Sequence, residues 1–220
     1  MTYAQLVNAV LRRLRENSVS VYNESSYSTL IGDFINQIKK EVEDSWDWSQ
    51  LRQTVTFTTV ANDNNYTMDG TTSDIAMGER FKIFNIIDDD NDTEVYPVDY
   101  AWLKKYNLQG TQQTSQPYRY MLDGATNGNP NIQLFPIPDA AYPLYIHAKI
   151  PQNDFVSDSE VLKVPHLPVI LGAYSLALSE RGEEGSVNPA LAQEMYHTTL
   201  SDSIAMDAQN YQSELEWIQV

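Results

Sequence analysis

The residues best able to do chemistry are carboxylates. Asp88-Asp89-Asp90-Asn91-Asp92-Thr93-Glu94 puts acids at Asp88, Asp90 and Asp92, the spacing of the first ligands of a calcium loop. Thr93 stands where such a loop needs glycine, its twelfth position is Asp99 instead of glutamate, and its flanks alternate like strands. A solvated hairpin tip fits the run better. Thirty Asp and Glu also guarantee pairs that look like a glycosidase's acid and nucleophile, but that chemistry is set by separation in space. Trp46-Asp47-Trp48 has the make-up of a sugar platform, and equally of a helix end packed into a core. His147, His166 and His197 fall on a predicted strand, a proline-rich link and a helix, and no His-x-x-x-His spacing joins them. A Gly-x-Ser-x-Gly elbow, a P-loop and a dinucleotide fingerprint are all missing, and Ser175 sits in an apolar helical segment as a packing residue. The sequence therefore predicts no catalytic residue, no metal ligand and no cofactor.

The last ten residues suggest binding instead. Tyr211, Leu215, Trp217, Ile218 and Val220 concentrate large apolar groups at the end of an acidic chain. Trp and Tyr are favoured anchors at interfaces, and a chain end is loose unless something docks it. Two readings stand: Trp217 packs back onto the protein, or the tail grips a partner.

Composition narrows the class of partner. Fourteen Lys and Arg against thirty Asp and Glu leave a net charge of −16, which excludes a broad phosphate-binding surface and disfavours anionic membranes. Without cysteine there is no disulfide scaffold or thiol chemistry. With 42% hydrophobic residues the chain can build a core. The most apolar stretch, 164–178, is broken by Pro165, Pro168 and Gly172, so no membrane span is predicted. The arginine-bearing N-terminus lacks the pattern of a secretory signal, so synthesis and folding in the cytoplasm are expected.

Elements must hold these residues in place. Thr2 and Gln5 form a capping-box pattern ahead of the stripe Leu6, Val7, Val10, Leu11 and Leu14. Ser25 or Ser26 caps a second helix with the stripe Leu30, Ile31, Phe34, Ile35, Ile38 and Val42. From Leu51 the period turns to alternation, Val55, Phe57 and Thr59 facing one way. Further strands are predicted at 80–87, 94–98, 117–122, 131–135 and 144–150, with a short helix at 99–107. Helices resume near Pro168, with Gly182 as a C-cap, and again after Asn188-Pro189. The expected fold is α+β: a four-helix bundle built from the N- and C-terminal helix pairs (1–50 and 160–209), an inserted antiparallel β-domain (51–159) and an extended C-terminal tail (210–220). Charge is uneven along it: residues 150–220 carry 2 cations against 11 acids.

Three stretches resemble podovirus head-to-tail adaptor (connector) proteins, of the T7-type tail tubular protein A kind and, more distantly, the P22-type. They are residues 3–16 (from Tyr3-Ala4-Gln5-Leu6), Ile31-Gly32-Asp33-Phe34-Ile35-Asn36 on to Trp46-Asp47-Trp48, and Pro168-Val169-Ile170-Leu171-Gly172-Ala173-Tyr174 on to Glu183. The resemblance implies a virion structural protein at the head–tail junction: a homo-oligomeric, dodecameric ring beneath the portal protein, continuing the DNA ejection channel. It implies that the helical lobe and the tail residues Tyr211, Leu215, Trp217, Ile218 and Val220 face the portal. The β lobe would then meet the tail nozzle (tail tubular protein B-like) or the fibres and spikes. Genomic DNA would pass without specific binding, and an acidic wall suits that passage because it repels phosphate. Two other readings use the same acidity: a binding module that mimics DNA, and a glycan-active tail protein working through carboxylate pairs.

Overall fold

The structure, a computed structural model, describes residues 1–108, 113–182 and 189–210, without the side chains of 107 and 108. Two compact units divide the chain: Met1–Leu51 with Pro151–Val220, and Arg52–Ile150.

In the first unit, α1 (Tyr3–Arg13) begins at the expected capping box. The Gln5 amide donates to Thr2 Oγ1, and Thr2 N–H donates back to Gln5 Oε1 at 3.1 Å. Ser25 caps α2 (Ser26–Ser45) reciprocally with Ser28. After the second unit come α4 (His166–Arg181), closed by Gly182 in the left-handed region (φ 63°), and α5 (Pro189–Ala208). One core joins Leu6, Val10, Ile31, Ile35, Ile38, Val42, Val169, Ala173 and Ala177. It also takes in Tyr196, whose phenol is pushed up to about 12 by burial and by the Glu41 carboxylate it faces. A raised phenol stabilises the fold below the unfolded value near 10, and that contribution is lost as pH climbs through about 12. Unfolding free energy is thus expected to fall between pH 10 and 12, with a shallower slope in Tyr196→Phe, as read by urea titration.

These helices are not a four-helix bundle, which corrects the sequence-based expectation. Among the described residues there are five α-helices, and α3 (Tyr100–Leu108) lies in the other unit. Helices α1, α2 and α4 pack pairwise, while α5 joins mainly through α4. Length explains this. The 11 residues of α1 span about 16 Å, half the reach of the 20-residue α2 and α5, so α1 cannot complete a fourth wall. Residues 151–165 fill the layer instead: Tyr3 N–H donates to the Glu160 carbonyl at 2.8 Å and Leu162 N–H to the Met1 carbonyl at 3.0 Å.

The second unit is a curled seven-stranded sheet in the order β1-β7-β3-β4-β5-β6-β2. The strands are β1 (Arg52–Thr58), β2 (Asn65–Thr67), β3 (Lys82–Asp88), β4 (Thr93–Pro97), β5 (Arg119–Thr126), β6 (Asn129–Phe135) and β7 (Pro143–Lys149). The expectation of an antiparallel β-domain is corrected at one ladder, because β4 and β5 pair in parallel at Tyr96↔Arg119 and Pro97↔Tyr120. Parallel neighbours need a long crossover, and the segment carrying α3 supplies it. Val55 and Phe57 face the core with Tyr66, Met68, Ile86, Ile132 and Ile146. The first and last strands are ladder partners from Arg52↔Lys149 to Thr58↔Pro143.

Candidate interaction surfaces

The carboxylate run is a hairpin tip. Asp88 pairs with Thr93 at the end of the β3–β4 ladder and is fully buried. Its oxygens accept from Asp90 N–H (3.1 Å), Asn91 Nδ2 (3.0 Å) and Gln116 Nε2 (2.9 Å). Those donors make Asp88 a turn cap, and Asp89, Asp90, Asp92 and Glu94 are exposed.

The tryptophans of 46–48 belong to the core. Trp48 is buried and donates from Nε1 to the Val42 carbonyl at 2.6 Å. Trp46 Nε1 donates to Asp207 Oδ2 at 3.1 Å, and Ser49 donates to the same carboxylate from N–H (3.1 Å) and Oγ (2.6 Å). Asp207, on the last turn of α5, therefore ties that helix to the chain leaving α2. Asp207→Ala is expected to cost about 2–4 kcal/mol by stranding three donors, with Trp46 emission shifting to the red in a fluorescence-detected melt.

Ser175 is buried and donates to the Gly172 carbonyl at 2.8 Å, and His147 Nδ1 meets Thr54 Oγ1 at 2.9 Å. Among the described residues no three potential metal ligands come together, and no helix is long and apolar enough to cross a membrane. The tail residues Tyr211, Leu215, Trp217, Ile218 and Val220 lie outside the described residues.

One surface escaped the sequence reading. Six of the chain's eighteen Tyr and Trp fall between positions 96 and 120, a density that marks it in hindsight. Trp102 and Tyr106, one turn apart on α3, stack at 4.6 Å between centroids. Both set their edges against Phe135 of β6, at 5.5 and 5.3 Å, and Tyr118 meets the same ring at 6.0 Å. Phe135 is buried, whereas Tyr96, Tyr100, Trp102, Tyr106 and Tyr118 are exposed. The Arg119 guanidinium lies 5.6 Å from the Tyr96 ring centre and 5.8 Å from that of Tyr118. Lys104 stands 5.1 Å over Tyr100 and pairs with Asp123 at 2.7 Å. Rigid rings around one guanidinium are the groups that dominate binding at protein interfaces, and here they rest on a sheet that holds them in place.

Such a surface has the make-up of one that binds another protein. Residues 1–216 match the family of the SU10 adaptor protein, and the chain belongs to that family. It is a phage adaptor protein, a structural class. The family matched is the SU10 one, so the T7-type and P22-type likenesses of the sequence motifs stay resemblances. No curated protein matches the chain.

Proposed function

We propose that this adaptor occupies the head–tail junction of the virion as one subunit of a ring, twelve copies in number, that joins the portal protein to the tail nozzle and continues the path of the DNA. The observation that carries this reading is the family match over nearly the whole chain. Residues 211–220 supply the grip on the portal through Tyr211, Leu215, Trp217, Ile218 and Val220. The aromatic surface around Trp102 and Arg119 is offered to the nozzle or fibres. The net charge of −16 keeps the passage from holding phosphate, since like charges repel.

The test mixes the full chain, or a chain ending at residue 210, with the portal of its own phage and images the product. The full chain is expected to form a symmetric collar. The shortened chain should keep its melting temperature yet fail to stay bound. Equal retention of the shortened chain removes the tail's role. Absence of a collar with the full chain overturns the placement.

A further inference from the structure

We propose that neighbouring copies join through two different faces of the helical unit, the arginine-bearing end of α1 on one copy against the acidic, methionine-lined face of α5 on the next. This rests on the ring reading and adds the surfaces that would build it.

The face on α5 is an unusual one for a packed helix. Only Ala192, Tyr196 and Asp207 of its 20 residues are buried, while Leu191, Met195 and Met206 are 52%, 49% and 65% exposed. Positions 191, 195, 202 and 206 recur at helical spacing and form one stripe. Leu191, Glu194, Met195, Thr198 and Thr199 border a shallow groove of about 400 Å3. The helix contains Glu194, Asp202 and Asp207 and neither lysine nor arginine. It is apolar and negative, so it calls for a partner that is apolar and positive.

The same molecule carries one. The unit has 7 cations against 18 acids. Lys39 is buried, Lys40 pairs with Asp154 and Arg181 with Glu16, and Lys163 is a single exposed lysine ahead of α4. Arg12 and Arg13 stand exposed in the last turn of α1, with Arg15 just past its end, and among the described residues none of the three has a carboxylate partner. Arginine suits the opposing face because its stem covers methionine and leucine while its planar head pairs with carboxylates. Helices α1 and α5 are not among the packed helix pairs of one copy, so the match is made between copies. Joining unlike faces is the head-to-tail arrangement that closes into a ring when the rotation fits.

The cysteine-free sequence allows a direct test on the full-length chain. Arg13→Cys and Glu194→Cys proteins are mixed, assembled on the portal and treated with a short bismaleimide. The mixture should give covalent dimers several-fold above either variant alone, falling as salt rises. Arg12→Glu with Arg13→Glu should weaken association at least tenfold, and Glu194→Arg with Asp202→Arg in the other copy should restore it. Circular dichroism of each variant checks that these exposed substitutions leave the fold intact. Like-with-like cross-linking, or charge reversal without effect on collars that still form, overturns the interface and leaves the adaptor reading standing. Failure of the unmodified chain to form any collar takes both away.

Discussion

Gly172→Ala is expected to destabilise the protein by about 1–3 kcal/mol, where the same exchange inside most helices gains about 1 kcal/mol. A Cβ at this position of α4 would lie 2.6 Å from Ile38 Cγ2 and 3.1 Å from both Cγ1 and Cδ1. Ile38 is 3% exposed and sits among core side chains, so it has little room to retreat. Helices α2 and α4 can approach this closely only because residue 172 has no side chain. Gly172→Val should cost more, and pairing either change with Ile38→Ala should recover at least about 1 kcal/mol relative to the sum of the single changes. Urea unfolding of the three single and two double variants reads the coupling. A neutral or stabilising Gly172→Ala would show that the helices do not meet here.

Lys39→Met is expected to cost about 3–5 kcal/mol although it keeps most of the side-chain volume. Lys39 is wholly buried in α2, its Nζ donates to the Gln152 carbonyl at 3.2 Å and to the Asn153 carbonyl, and it lies 4.3 Å from the Phe155 ring centre. One turn on, Glu43 is also fully buried and accepts from Gln152 N–H at 3.2 Å. Asn36 completes the clamp by bonding both polar groups of Phe155, at 2.8 and 3.1 Å. Without the ammonium, two carbonyls lose a donor and a buried carboxylate loses a nearby compensating charge. Adding Glu43→Gln should therefore recover part of the loss. Hydrogen exchange should localise the effect, with faster exchange at residues 152–155 while β-unit amides keep their rates. A cost under about 1 kcal/mol would deny the clamp its role.

What the sequence reveals and what it hides follows from the range of each force. Caps and periodicity are local, so the Thr2–Gln5 box, the Ser25 cap, the Gly182 stop and the alternation through Val55 and Phe57 are legible from neighbours a few residues away. The strap at 151–165 is not, because its partners Asn36, Lys39 and Glu43 lie more than a hundred residues upstream and are polar. Strand β2 is three residues long and follows directly on Asn62-Asp63-Asn64, residue types that favour turns. The parallel β4–β5 pair hides for the same reason, since register between distant strands leaves no local mark. Four helical stripes suggest a bundle, yet a stripe reports only that one face is covered and not by which neighbour. The aromatic surface went unread because Tyr and Trp serve cores and interfaces alike, and only the buried Phe135 beneath exposed rings tells them apart.

The ladder between β1 and β7 has a further consequence. Arg52 and Lys149 face each other across one strand spacing, about 4.8 Å, so the polypeptide leaves for its long excursion and returns at almost the same spot. To the remainder of the chain, everything between those two residues is a graft on a narrow double stem. A graft of that kind is interchangeable: another sheet with the same stem, cut and spliced at two codons, is expected to leave the helical unit folded as before.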